Sequence, residues 1–164
     1  MDLYIVRHAW AAERNAARWP NDDDRPLTDE GRERFAKFVA RLAAVDFAPE
    51  AIATSPLVRC VQTAEIIRKH VPGKPQIVCR DELRPGGQLE SLLQWTTEQA
   101  QQYDSIAWVG HAPDVSLLAA ALIGSSDANL RFAKGAVAAI RFDGPIEQAQ
   151  GELRWLVTAK LLGC

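Results

Sequence analysis

Short apolar runs separated by longer amphipathic segments constrain this chain more than any other feature. DLYIVR (2–7), AIAT (51–54), QIVCR (76–80) and SIAWV (105–109) are each bounded by turn-prone or polar residues, as buried strands are. Segments 28–44, 57–70, 88–102 and 114–123 alternate with them and carry helical periodicity. In 28–44, Phe35, Phe38, Val39 and Leu42 recur at i, i+3, i+4 and i+7, one face of a helix laid on a sheet. Thr28 reads as the cap of that helix, and Gly31 as a point of tight approach that costs some helix propensity. Two further strand-like runs, 137–142 and 152–159, end the sequence. Strand followed by helix, repeated, predicts a three-layer α/β/α architecture with a mostly parallel central sheet, to which the last pair adds an antiparallel edge.

At 164 residues the chain suits a single domain, 1–164, able to bury roughly two thirds of its unfolded surface. With 19 basic against 21 acidic side chains and no lysine-rich run, neither nucleic acid nor an anionic membrane is an expected partner. Cys60, Cys79 and Cys164 are odd in number and far apart, which fits a reducing, cytoplasmic setting better than a zinc site or redox couple. The longest apolar run, VSLLAAALIG (115–124), is about half of a membrane span, and no export leader is read at the N-terminus. The one long irregular segment, 10–27, holds Asp22, Asp23 and Asp24 in succession. Without a spaced partner they read as a solvated rim that repels or orients an anionic partner, rather than as a metal site. Loops of this length in a compact domain are commonly functional.

In open α/β sheets the ligand site lies beyond the carboxyl ends of the strands. There the first strand delivers Arg7 and His8, the second leads through TSPLVR to Arg59 near the start of a helix, and the fourth ends in VGHAP with His111 at its tip. Each stretch alone has an ordinary explanation. RHA can be a surface pair, VGH a histidine bonded to a carbonyl, and TSPLVR a helix start capped by Ser55 with Pro56 in the first turn. Three such strand ends in order point instead to a phosphoryl group. Arginines offer planar donor arrays to phosphate oxygens, and a helix start near 56–58 adds backbone N–H groups. One neutral imidazole can attack phosphorus while the other donates to oxygens that gain charge. His70, at a helix C-terminus, needs no more than the helix dipole to explain it.

VRHA (6–9), LTDEGRERF (27–35), TSPLVRCVQTAEII (54–67) and VGHAPDVSLL (109–118) resemble the histidine phosphatase superfamily, branch 1, the phosphoglycerate mutase-like group. The resemblance spans residues 3–125. It implies that His8 is phosphorylated in a covalent intermediate, that Arg7 and Arg59 grip the phosphate, and that His111 completes the pocket. Small size and the stretch DELRPGG (81–87) look most like the SixA-type phosphohistidine phosphatases.

Two departures stand out. Counting from Leu83, Pro85 occupies the place where many relatives carry a glutamate acid, and Ala112 stands where many have asparagine. Glu82 is the candidate substitute acid, with a solvated loop carboxylate as the equal alternative. A sugar alkoxide needs a positioned acid to leave, whereas a phosphohistidine nitrogen departs more readily. The expected activity is therefore a phosphatase needing no cofactor or metal, acting on phosphohistidine of a signalling or phosphotransfer protein. The alternatives are a small-molecule phosphomonoester phosphatase, a non-catalytic phosphate-binding module and, further off, a mutase.

Overall fold

A computed structural model describes residues 1–125 and 127–164. The strands are β1 (Asp2–Arg7), β2 (Ala51–Thr54), β3 (Gln76–Cys79), β4 (Ser105–Gly110), β5 (Val137–Arg141) and β6 (Glu152–Val157). The helices are α1 (Asp29–Ala43), α2 (Val58–His70), α3 (Leu89–Gln99) and α4 (Asp114–Leu122). The strands form one sheet in the order β3-β2-β4-β1-β5-β6. β4 pairs parallel with β1 on one side and β2 on the other, and β3 is parallel to β2. The late pair supplies the antiparallel edge, β5 against β1 and β6 against β5. Among the described residues no helix is long and apolar enough to cross a membrane.

Alternation along the central strands divides the core in two. Tyr4 and Val6 of β1 face the side covered by α1 and α2, against Phe35, Phe38, Val39, Cys60 and Ile67. Leu3 and Ile5 face the other side, where Leu92 of α3 and Val115, Ala119 and Leu122 of α4 pack on Trp108. Two covered faces explain why the inner strands read as continuous apolar runs. Trp108 is fully buried, and its indole N–H donates to Thr96 Oγ1 at 3.1 Å, so its one polar atom is satisfied inside α3.

The segment 10–27 is anchored at both ends. Ala11 and Leu27 form an antiparallel bridge, Thr28 N donates to Trp10 O at 3.0 Å, and Ala12 N donates to Pro26 O at 2.9 Å. Thr28 caps α1 as expected, its Oγ1 accepting from Gly31 N at 3.0 Å. The cost of glycine in a helix is offset by space: a Cβ on Gly31 would lie 2.4 Å from Trp10 O and 2.8 Å from Thr28 Oγ1. Neither atom is the end of a flexible side chain, so the overlap outweighs the propensity gain of about 1 kcal/mol. Gly31→Ala is accordingly expected to lower the melting midpoint and destabilise by about 1–3 kcal/mol. A variant that melts at or above the parent would mean that the contact yields freely.

Candidate active site

Since β2, β4 and β1 are neighbours in one parallel array, their carboxyl ends lie side by side. Pairing continues past the strands. His8 N donates to Gly110 O at 3.0 Å, Ser55 N to Val109 O at 2.9 Å, and Gly135 N to His8 O at 3.1 Å. Arg7, His8, Arg59 and His111 thereby line one cavity of about 480 Å³, the convergence that the strand ends imply.

His8 is nearly buried, and its Nδ1 lies 2.7 Å from Ala9 O. A carbonyl only accepts, so Nδ1 carries the proton and Nε2 keeps its lone pair. Ala9 N in turn donates to Thr63 Oγ1 at 3.1 Å, and the Thr63 hydroxyl donates to Arg59 O at 2.7 Å. One buried threonine on α2 thus ties the residue after His8 to Arg59. His111 Nε2 is hydrogen-bonded with Ser55 Oγ at 2.9 Å, and Cys60 Sγ stands 3.5 Å away. The two imidazole rings are 5.5 Å apart between centroids. Ser55 therefore does not cap α2: Leu57 occupies the N-cap position, and no side chain caps that end.

Charge and burial together set the protonation states. Desolvation, with Ala9 O opposing it and His111, Arg59 and Arg7 adding to it, pushes His8 down to about 3. Burial and then Arg59 lower His111 to about 4. Both imidazoles are neutral at physiological pH. Burial similarly pushes the Cys60 thiol up to about 12, so it is an inert wall of the site.

Each of the two arginines is tied down and yet incomplete. Arg7 Nη1 donates to Phe132 O at 2.7 Å, and Arg59 Nη1 donates to Asp22 O at 2.8 Å. The Nε atoms of both are buried without a partner among the described residues. A buried unpaired donor costs about 1–3 kcal/mol.

Glu82 stands apart from this group. It lines an adjoining cavity of about 300 Å³ that shares His111 and Asp114 with the first, and its Oε1 accepts from Arg80 Nη2 at 2.5 Å. Arg80 also lies over the Trp95 ring at 5.6 Å. Pro85, at the acid's place in the relatives' pattern, is in the wall of the arginine cavity, as is Ala112. Asp114, the carboxylate common to both cavities, was not singled out in the sequence; its Oδ1 accepts from Gly86 N at 2.9 Å. The expectation of a solvated acidic rim also needs correction. Asp22–Asp24 form a 3-10 turn, in which Asp22 pairs with Arg25 at 2.8 Å and Arg59 at 3.3 Å, and Asp23 with Arg84 at 2.8 Å. Four arginines meet this turn: Arg14 and Arg25 come from the same segment, whereas Arg59 and Arg84 are brought there by the fold, which local sequence does not reveal.

Comparison with known proteins agrees with this geometry. The family model of the histidine phosphatase superfamily (branch 1) matches residues 3–121. An uncharacterized protein of Picosynechococcus sp. is 35% identical, with 99% of each chain covered. The structure of the protein histidine phosphatase SixA complexed with tungstate has a TM-score of 0.85, 24% identity and 99% coverage of both chains. The alpha-ribazole phosphatase from Shigella flexneri has a TM-score of 0.71, with 20% identity over 97% of each chain. These two likenesses show a shared fold.

Protonation also ties the site to stability. Both histidines have folded-state values below the roughly 6.5 of a free imidazole, so between there and about 3 the unfolded chain binds more protons. Stability from this source is complete above about pH 6.5 and is lost as pH falls through about 4 and then about 3. The melting midpoint is expected to fall between about pH 7 and about pH 4.5, and less steeply in a His8→Asn/His111→Asn double variant. Equal slopes in parent and double variant would remove the histidines as the cause.

Proposed function

The chain belongs to branch 1 of the histidine phosphatase superfamily, and on that premise we propose that it is a phosphatase working through a phosphohistidine intermediate on His8. The observation that carries this reading is the convergence of two arginines, Arg7 and Arg59, and two neutral imidazoles, His8 and His111, on one cavity. Phosphate oxygens are acceptors suited to such a cavity, and the arginines neutralise their charge. His8 Nε2 attacks phosphorus in line, forming the N–P bond as the bond to the leaving group breaks and that group takes up a proton from solvent. Nδ1–H, held on Ala9 O, fixes the ring and stabilises the positive charge that develops on it. Water then attacks phospho-His8, releasing inorganic phosphate and the free imidazole. His111, beside them, donates to oxygens that gain charge in both steps.

The favoured substrate is phosphohistidine displayed on a protein. Pro85 in the cavity wall leaves that position without an acid, and Glu82 is engaged by Arg80 in the neighbouring cavity. A nitrogen leaving group tolerates this better than an alkoxide. A second reading, a small phosphomonoester, is favoured by the adjoining cavity, whose walls include Leu83, Leu89, Val115 and Leu118 and which could seat an apolar body.

Brief exposure to a labelled phosphoryl donor is expected to leave acid-labile, base-stable label on the parent and none on His8→Ala. Equal labelling of both proteins, or none on the parent, defeats the covalent mechanism. Arg59→Ala should lower kcat/KM by about 10²–10³. Glu82→Gln should change turnover of a phosphohistidine peptide by less than about threefold, against the 10²–10⁴ that a general acid contributes. Hydrolysis of sugar phosphates far faster than of phosphohistidine peptides reverses the substrate assignment.

A further inference from the structure

Arg7 and Arg59 are held in different ways. Arg7 rests on a main-chain carbonyl, Phe132 O. Both terminal nitrogens of Arg59 instead meet one residue: Nη1 donates to Asp22 O at 2.8 Å, and Nη2 lies 3.3 Å from Asp22 Oδ2. A guanidinium is planar and rigid, so fixing its two terminal nitrogens fixes the plane and the direction of Nε–H. That Nε is the donor left buried and unpaired.

Asp22 is itself braced. Arg25 Nε and Nη2 contact its two carboxylate oxygens at 2.8 and 3.3 Å, while Arg25 Nη1 donates to Ala12 O at 2.8 Å. The turn is closed by Asn21 Oδ1, which accepts from Asp23 N at 3.2 Å, and its far side is tied to Arg84 through Asp23. Arg25 is buried and Asp22 only partly so. A chain of charge-assisted bonds therefore runs from the 10–27 segment to the guanidinium in the cavity.

We propose that Asp22 is a positioning residue for phosphate binding, holding the guanidinium of Arg59 by its terminal nitrogens at the wall of the cavity where the phosphate is bound. This rests on the phosphatase reading above. It assigns a task to the acidic turn, and it runs against the opposite expectation for a carboxylate beside an anion site. Coulomb repulsion alone would make Asp22 a competitor of phosphate for Arg59. The geometry favours positioning, because Arg59 lines the cavity and Asp22, which holds its terminal nitrogens, does not.

Orthovanadate and inorganic phosphate binding, measured by calorimetry on the full chain, together with KM and kcat on a phosphohistidine peptide, test the idea. Asp22→Ala should raise the orthovanadate Kd and KM about tenfold with a much smaller change in kcat. Asp22→Asn keeps one oxygen for Nη2 and should fall between the parent and alanine, a graded rescue that general loosening of the loop does not produce. Asn is also the fallback where the alanine variant fails to fold. The proposal is overturned if Asp22→Ala binds orthovanadate as tightly as the parent or more tightly, or loses kcat with KM intact. A different failure exposes the reading beneath it: a parent that binds neither anion, indistinguishable from Arg59→Ala, ends the phosphatase assignment and this proposal together.

Discussion

Parallel hydrogen bonding of β4 between β1 and β2 is the constraint on which the rest of the molecule depends. It puts three carboxyl ends within a few strand spacings of about 4.8 Å of one another. Arg7 with His8, the start of α2, and His111 therefore arrive at one place although long stretches of chain separate them. Strands buried on both faces are stiff supports, and the hydrogen bonds beyond them, from His8 N to Gly110 O and from Ser55 N to Val109 O, carry that stiffness one residue further. The imidazoles are aimed by the sheet rather than by flexible loops.

Burying these charges costs free energy that the rest of the fold offsets. Two arginines lie beside two imidazoles that burial keeps neutral. Hydrogen bonds hold each of them in place. Thr63 ties Ala9 to Arg59, Ser55 steadies His111, and Phe132 O holds Arg7. Asp22 is the one anion among these supports that comes from a loop, and it faces Arg14 and Arg25 as well as Arg59.

What the sequence disclosed follows the range of the interactions involved. Strand ends are local, so Arg7, His8, Arg59 and His111 could be placed by the rule for open sheets, and their common cavity agrees with it. Phe35, Phe38, Val39 and Leu42 were readable for the same reason, because helical periodicity is written in consecutive residues. Ends of elements were less so: the third helix closes at Gln99 rather than 102, where Ala100 N turns back to Thr96 O and Glu98 O. Asp22, Asp114 and Thr63 depend on which loop meets which helix, and no spacing records that. Glu82 shows the limit most plainly. Its place in the chain suits an acid three residues before Pro85, but Arg80, two residues away, claims its carboxylate.

The neutral histidines also bear on how charge on the phosphoryl oxygens is met. Their low values arise because burial and nearby cations oppose a further positive charge. A phosphoryl dianion entering beside them acts in the opposite sense and favours their protonated forms. His8 cannot respond, because as nucleophile it must keep Nε2 unprotonated, and its Nδ1–H is already committed to Ala9 O. His111 can, with Ser55 Oγ at hand to accept from a protonated Nε2. On the proposed mechanism the incoming phosphate thus favours a cationic His111, separating its task from that of His8. The cation so formed stabilises oxygens on phosphorus, while Pro85 leaves the position of the relatives' glutamate without an acid. That division of labour suits a leaving nitrogen, which needs little help, better than a leaving alkoxide, which needs a great deal.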